Sequence, residues 1–135
     1  MDQCRSELPE ILQLYGRQSL HIDEGAAAEW ADTFTPEGRF DSPNYPEPVE
    51  GRDNLIAFAE RFAASSSGSR HVVTNAHIIS TPSSDECAVR AYLLIVRTST
   101  SGEVEILRLT TLDDDLVRTR GQWRIRSRTV TLNSQ

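Results

Sequence analysis

Cysteine, long apolar stretches and excess positive charge are all scarce in this chain of 135 residues. The two cysteines, Cys4 and Cys87, form neither a disulfide framework nor the spacing of a metal knuckle. We therefore expect two reduced structural thiols and no metal site. No apolar run approaches the ~18 residues of a transmembrane helix, and no signal peptide is visible at the N-terminus. These absences predict a cytoplasmic protein.

The balance of charge excludes two further classes of partner. The formal net charge is −6 and the sequence pI is near 5.0. An acidic surface repels nucleic acids and anionic membranes, so we expect neither as a partner, whereas it does not oppose a neutral small molecule. Hydrophobic residues make up 38% and charged residues 25% of the chain, as in ordinary globular proteins. The length predicts a single domain over 1–135, large enough for a core and one internal pocket.

The first half of the chain has the apolar spacing of helices. A first helix is predicted from Ser6, a suitable N-cap, to a break at Glu24-Gly25. Its apolar stripe comprises Leu8, Ile11, Leu12, Tyr15, Ser19 and Ile22. The other elements predicted in this half are a helix at 26–33, a brief strand at 39–42, a proline-rich loop at 43–48 and a helix from Asp53 to a flexible stop at 65–69.

In the second half the apolar period changes from about 3.6 to 2, as in β-strands. The predicted strands lie near 70–80, 86–98, 103–116 and 122–132. Short connections rich in turn-forming residues separate them, which requires antiparallel pairing of consecutive strands. Helices followed by a long antiparallel sheet predict the α+β fold class.

The last predicted hairpin gives a register that can be worked out by counting. A turn at Arg120-Gly121 places opposite charges on one face, in the pairs Asp113–Arg128 and Asp115–Arg126, with Val117 facing Arg124. The other face is then apolar, with Leu112, Leu116, Trp123 and Ile125. Consecutive acids on a strand alternate between faces, so residues 113–115 are not expected to bind a metal ion.

The residues best suited to chemistry are a histidine and an aspartate. In a regular strand, His71, Val73, Asn75 and His77 share one face, which is either a structural face or a wet, functional one. Asp23 ends the first helix, where a carboxylate meets the negative end of the helix dipole. It is either a solvated helix end or an acid directed at His71. Such a carboxylate would fix the tautomer of the imidazole and allow it to accept a proton.

Five segments carry a resemblance to a known family. IDEGAAAEWADTFTPEGRFDSP, EGRDNLIAF, RHVVTNAHI, AVRAYLLIV and DDDLVRTRGQWRI are similar, in order and spacing, to the SnoaL-like branch of the nuclear transport factor 2-like superfamily. The resemblance implies a cone-shaped α+β barrel, with three N-terminal helices packed in a curved antiparallel sheet around an apolar cavity, and a homodimer. Relatives include polyketide cyclases, scytalone dehydratase, a bile-acid dehydratase, ketosteroid isomerase, limonene epoxide hydrolase and non-catalytic binding proteins, so the fold alone does not give the function.

The resemblance also implies roles for individual residues. The helix-end aspartate of the family corresponds to Asp23 and the strand histidine of its dehydratases to His71, which supports an Asp–His acid–base pair. The sequence departs from the family at Gln18, where dehydratases place an aromatic proton donor, and at Leu94, where some relatives have a polar partner. Ser42 stands at the position of the ketosteroid isomerase base, which argues against isomerisation through a carboxylate there.

Other side chains are expected around the cavity as substrate-binding residues, although several serve equally well as packing. The full predicted set is Gln18, Trp30, Phe40, Ser42, Tyr45, Phe58, Asn75, Tyr92, Leu94, Arg108 and Leu112. Tyr45 belongs to the proline-rich loop, which we interpret as a lid. Tyr92 is expected on the strand face of Leu94, as either a hydroxyl donor to the cavity or a core residue. His21 and His77 are interpreted as structural.

These residues lead to one principal hypothesis and two alternatives. The principal one is a cyclase, dehydratase or isomerase of natural-product biosynthesis that needs no metal or organic cofactor. His71, oriented by Asp23, removes a proton from a small hydrophobic polyketide- or terpenoid-type carbonyl compound, while Asn75, Tyr92 or Gln18 binds the oxygen that gains charge. The alternatives are a non-catalytic binding or accessory module and an epoxide hydrolase-like enzyme, although the Asp–Arg–Asp arrangement of limonene-type hydrolases is not found.

Overall fold

The computed structural model describes residues 7–66 and 68–132, so Cys4 and the predicted N-cap Ser6 lie outside the described residues. The helices are α1 (Leu8–Asp23), α2 (Ala27–Ala31) and α3 (Arg52–Ser65). The strands are β1 (Phe34–Asp41), β2 (Val49–Glu50), β3 (Ser69–Ser83), β4 (Glu86–Thr98), β5 (Val104–Thr119) and β6 (Gln122–Leu132). The predicted α+β class is confirmed, and most predicted bounds lie within three residues of these.

Helix α1 buries a stripe of five residues, Ile11, Leu14, Tyr15, Gln18 and Ile22. They recur at intervals of three and four, so they share one face of the helix. Leu12, which the sequence placed in the stripe, is 49% exposed. Leu14 takes the buried place instead, because it follows Ile11 by three positions and precedes Gln18 by four.

The six strands form one sheet in the order β2-β1-β6-β5-β4-β3. Strands β3 to β6 are antiparallel neighbours, as predicted, but β1 pairs with β6 in parallel. The expectation of an antiparallel sheet was therefore wrong: the sheet is mixed. A long connection separates β1 from β6, and only short connections force antiparallel pairing. Within the described residues the sheet is also open, with β2 and β3 as its edges, so it does not close into the cone-shaped barrel that the family resemblance implied.

Strand β1 starts at Phe34, five residues before the predicted strand at 39–42. Its pairing with β6 shifts register between Phe34 and Arg39, which hid the strand from a search for regular alternation. Gly38 lies inside this irregular stretch, where a Cβ atom would come within 2.7 Å of the Phe34 Cβ.

The core lies between the helices and the concave face of the sheet. Its fully buried members come from both layers and include Ile11, Leu14, Leu55, Val89, Leu116 and Ile125. Cys87 is buried with them. Each large apolar side chain buried in this way contributes about 1.5–3 kcal/mol to folding.

A bulge at Asn75 changes which residues of β3 face the interior. Thr74 pairs with Tyr92 and His77 with Arg90, so two residues of β3 oppose one residue of β4. Asn75 has a positive φ of 59°. His71 and Val73 face inward, whereas Asn75 and His77 are exposed. The prediction that all four share a face was therefore wrong, because the extra residue interrupts the alternation.

A second bulge, in β6, corrects the predicted hairpin. The pair Val117–Arg124 is confirmed, but the register then shifts between Asp115 and Leu116. Beyond the shift the pairs are Asp113–Thr129, Asp114–Arg128 and Asp115–Ser127. The predicted charge pairs were wrong because Arg126 is the extra residue. Arg128 therefore faces the interior rather than solvent, where it meets Asp114 on the same face as Leu112 and Leu116.

Candidate active site

A pocket opens into the concave side of the sheet beside the core. Aromatic rings form much of its wall, in a series of edge-to-face contacts. The ring centroids of Phe40 and Phe58 lie 4.8 Å apart, those of Tyr45 and Phe58 5.1 Å apart, and those of Trp30 and Phe34 5.1 Å apart. Such a wall suits a flat, apolar ligand.

Asp23 and His71 meet at one end of this pocket. The Asp23 Oδ1 atom lies 2.8 Å from the His71 Nδ1 atom, and the backbone N–H of His71 donates to both carboxylate oxygens at 3.0 and 3.1 Å. The two side chains are only 14% and 15% exposed. His71 lines the pocket, while Asp23 lies behind it. The last residue of α1 is thus bonded to β3 and is not a solvated helix end.

The contact with Asp23 determines which nitrogen of His71 can act on a ligand. A carboxylate only accepts hydrogen bonds, so Nδ1 carries the hydrogen in the neutral imidazole. Nε2 then holds a lone pair, and it has no hydrogen-bond partner among residues 7–66 and 68–132. The Phe62 ring packs edge-on against the imidazole at 5.1 Å. The arrangement is that of a base oriented by an acid.

The pocket also contains polar side chains that are neutral. Gln18 is buried and its amide nitrogen donates to the Thr33 hydroxyl at 2.7 Å, which in turn donates to the Trp30 carbonyl at 2.6 Å. One of the two N–H donors of the Gln18 amide is therefore already engaged. Thr110 is 2% exposed, and its hydroxyl has no hydrogen-bond partner in the described part of the chain. A buried hydroxyl without a partner is costly, so Thr110 is positioned to bond a ligand oxygen.

A buried ionic network lies deeper, next to the pocket. The Arg128 guanidinium donates to both oxygens of Asp114 at 2.9 Å, and the Tyr15 hydroxyl donates to Asp114 at 2.7 Å. Burial, followed by the neighbouring charge of Asp114, raises the pKa of Tyr15 well above its ordinary value. Burial alone would lower the pKa of Arg128, but the charge and hydrogen bonds of Asp114 together with those of Tyr15 outweigh it, and the pKa is raised. The sequence-based register missed this network.

The rim of the pocket is formed by the loop between β1 and β2 and by β5. The buried Ser42 hydroxyl accepts a hydrogen bond from the Asn44 backbone at 3.3 Å. Arg108, on β5, donates to the Tyr45 hydroxyl at 3.4 Å, and its guanidinium lies 5.9 Å from the centre of the Tyr45 ring. Tyr45 therefore covers the mouth of the pocket and touches Arg108.

Most, but not all, of the predicted site residues line this pocket. Those that line it are Gln18, Trp30, Phe40, Ser42, Tyr45, Phe58, His71, Arg108 and Leu112. Asn75, Tyr92 and Leu94 do not. The bulge turns Asn75 outward, and on β4 the odd-numbered residues Leu93 and Ile95 face the pocket, so Tyr92 and Leu94 lie on the outer face.

Several lining residues lie outside the predicted set, among them Phe34, Phe62, Val73, Ile95 and Arg128. The alternation of β3 contained a signal for Val73, which lies two residues after His71 and shares its strand face. The alternation of β5 likewise places Thr110 with Arg108 and Leu112, and Thr110 lines the pocket with them. Ile95 depends on which face of β4 is turned inward, and Arg128 depends on the β6 bulge.

No group of three or more metal-ligating side chains is found in the part of the chain that the structure describes. None of the described helices is long and apolar enough to cross a membrane.

The helices and the mixed sheet have the nuclear transport factor 2-like fold. Residues 6–129 match the SnoaL-like domain. The chain therefore belongs to the SnoaL-like family, which includes cyclases and dehydratases. A comparison with curated proteins gave no match.

Solved structures of similar proteins agree with this assignment. ActVI-ORFA from Streptomyces coelicolor is 27% identical, with a TM-score of 0.82 over 93% of this chain and 96% of that chain. A protein from Catenulispora acidiphila, solved in complex with S-DNPA, is 28% identical, with a TM-score of 0.80 over 93% of this chain and 92% of that chain. A putative scytalone dehydratase from Novosphingobium aromaticivorans is 24% identical, with a TM-score of 0.83 over 98% of this chain and 88% of that chain, and shows the fold alone.

Proposed function

We propose that this protein is a cyclase, dehydratase or isomerase of natural-product biosynthesis that acts on a polyketide- or terpenoid-type carbonyl compound. The observation that carries the proposal is the 2.8 Å contact between Asp23 and His71 at the end of an aromatic pocket. The assignment of the chain to a family that includes cyclases and dehydratases supports the same class of chemistry.

In this mechanism His71 is the base and Asp23 is the residue that positions it. The Nε2 lone pair accepts a proton from a carbon next to a carbonyl group, or from a hydroxyl, and Asp23 stabilises the imidazolium that results. In a dehydration, a carbon–carbon double bond forms as the β-hydroxyl leaves. The imidazolium donates its proton to the departing hydroxyl, which is released as water. General base catalysis of this kind contributes about 10²–10⁴-fold to the rate. No step requires a metal or an organic cofactor.

The oxygen that gains charge needs a hydrogen-bond donor, and Thr110 is the residue suited to supply it. Asn75 and Tyr92, which the sequence suggested for this role, lie on the other face of the sheet. The Gln18 amide already donates to Thr33. The Thr110 hydroxyl is buried, lines the pocket and lacks a partner within 7–66 and 68–132. We assign it to the carbonyl oxygen of the substrate.

A non-catalytic binding module is the second candidate, and one observation favours it. Gln18, which donates to Thr33, stands about where the family resemblance implies an aromatic proton donor in helix α1. A pocket with one base and no phenolic donor from helix α1 can hold a carbonyl compound without converting it. An epoxide hydrolase-like reaction is a further alternative, which predicts that oxygen from labelled water enters the product.

The outer face of the sheet supports a homodimer. Val72, Leu94 and Leu109 occupy matching positions on three neighbouring strands, and Tyr92 lies one row further along. Val72, Tyr92 and Leu109 are 44–51% exposed. A contiguous apolar patch is unusual on a monomer, so we infer that a second copy of the chain covers it.

The base is tested with 2-tetralone, a bicyclic ketone with acidic α-protons, and with 3-hydroxy-1-tetralone, which gives 1-naphthol on loss of water. We expect the protein to accelerate deuterium exchange into the first or dehydration of the second. His71→Asn should slow either reaction by about 10²-fold or more. His77→Asn is the matched control, because His77 lies on the same strand but faces solvent.

Each alternative predicts a different result. Equal rates for the protein and His71→Asn, with both proteins folded, would rule out His71 as the base. Quenching of Trp30 fluorescence by the ketone without exchange would favour the binding module.

A further inference from the structure

We propose that the substrate carries a carboxylate, which Arg108 binds at a point of the pocket two strands away from His71. This inference rests on the proposed function for the identity of the reacting end, but it concerns a different part of the site. It adds a charge to a substrate that the sequence-based hypothesis describes only as small and hydrophobic.

The register of the sheet places Arg108 across the pocket from the base. His71 pairs with Ile95, and Ile95 pairs with Arg108, so the three residues form one row across β3, β4 and β5. All three line the pocket. Neighbouring strands are about 4.8 Å apart, so the backbones of His71 and Arg108 are separated by about 10 Å. A compound of two fused rings with an acidic side chain spans such a distance.

Arg108 has no carboxylate partner in the described residues, whereas seven other arginines do. Its only polar contact there is the Tyr45 hydroxyl. Arg128, the other arginine that lines the pocket, is neutralised by Asp114. No aspartate or glutamate lines the pocket or the groove at its mouth. A half-buried guanidinium without a counter-charge is positioned to bind an anion.

A second arginine adds to the positive charge at the mouth of the pocket. Arg61, on α3, lines the groove that Tyr45, Phe58 and Arg108 share with the pocket. Its guanidinium has no hydrogen-bond or ion-pair partner among the residues described. Glu47 lines an adjoining groove together with Tyr45 and Arg61, yet forms no ion pair with either arginine. The protein has a net charge of −6. The positive charge of Arg61 and Arg108 beside the pocket is therefore local and does not reflect the overall charge of the protein.

The inference is tested by comparing 2-naphthylacetate with 2-naphthylacetamide, two ligands of nearly equal shape that differ in charge. Dissociation constants are measured by calorimetry near neutral pH and low salt. We expect the acid to bind about 10-fold or more tightly than the amide, as a charge-assisted hydrogen bond provides. Arg108→Gln should abolish the preference, Arg108→Lys should retain part of it, and Arg61→Gln should weaken it.

Arg17→Gln is the matched control, because Arg17 is exposed on α1, away from the pocket, and its loss changes the net charge by the same amount. The preference should persist in that variant. Equal affinity for the two ligands, no binding of either, or a preference that survives in folded Arg108→Gln would overturn the inference. His71→Asn distinguishes it from the proposed function: that variant should lose turnover of the neutral ketones and still prefer the acid.

Discussion

The carboxylate of Asp23 is bonded to both the backbone and the ring of His71, although 48 positions separate them in the chain. One group thereby fixes the place of β3 against the end of α1 and the orientation of the imidazole. The carboxylate that joins the helix to the sheet is in this way also placed to orient the imidazole. Separating these two roles requires a measurement that reports on the ring itself.

Asp23→Asn should change the tautomer of His71 while leaving the fold in place. The asparagine oxygen can still accept from the backbone N–H, but the hydrogen bond that holds the hydrogen on Nδ1 is weakened. We expect the ¹⁵N shifts of the ring to show an increased population of the Nε2–H tautomer, and turnover of the ketone probes to fall by about 10²-fold. Glu24→Gln, at the adjacent exposed position, should change neither. Unaltered ring shifts together with lost turnover would contradict a positioning role.

Tyr15→Phe should reduce the dependence of stability on alkaline pH. The pKa of Tyr15 is raised by burial and by Asp114, so above about pH 10 the unfolded chain loses a phenolic proton that the folded protein keeps. The free energy of unfolding therefore falls as the pH rises past this value. The chain contains no lysine, and its 14 arginines stay charged in this range and do not contribute.

In the Tyr15→Phe variant this alkaline decline should be smaller, measured by urea unfolding at a series of pH values. Near neutral pH the variant should be less stable by about 1–3 kcal/mol, because Asp114 loses a buried hydrogen bond. Tyr92→Phe serves as the control, since Tyr92 is 46% exposed. An alkaline decline of the same size in Tyr15→Phe would show that Tyr15 does not cause it.

Asn75→Gly should be tolerated, whereas Asn75→Val should destabilise the protein. The positive φ of Asn75 is accessible to glycine and asparagine but strained for a β-branched residue, by about 1–2 kcal/mol. Thr74→Val is the matched control, because it loses the same hydrogen bond between Thr74 and Asn75 at an ordinary backbone position. Thermal and urea unfolding measure the difference. Equal stabilities of the two valine variants would mean that the bulge relaxes at no cost.

Leu94→Lys should convert the proposed dimer into a monomer by placing a charge in the centre of the outer apolar row. Light scattering coupled to gel filtration should report about twice 15.1 kDa for the protein and a single chain for the variant. Val104→Lys, which adds the same charge at a 67% exposed site at the start of β5, should remain dimeric. A monomeric mass for the unaltered protein would refute the dimer.

Local patterns predicted most of the secondary structure, and two irregular residues account for much of what they missed. Counting from the turn at Arg120-Gly121 gave the pair Val117–Arg124, but it failed once Arg126 entered as an extra residue. Counting along β3 gave His71 and failed after Asn75. At a bulge, the pairing with the neighbouring strand decides on which face of the sheet the following side chains lie. The identity of the nearby residues does not decide it, so periodicity cannot detect a bulge.

The sequence by itself determined the elements that depend on neighbouring residues: helix α1 through its apolar spacing, the antiparallel strands β3 to β6 through their short connections, and Asp23 and His71 as a candidate pair through family resemblance. Only the tertiary structure decided the parallel place of β1 in the sheet, the burial of Asp114 with Arg128, and the opposition of Arg108 to His71 across the pocket. These relationships join residues that are distant in the chain. Their energies arise from packing and charge across strands, which no local pattern records.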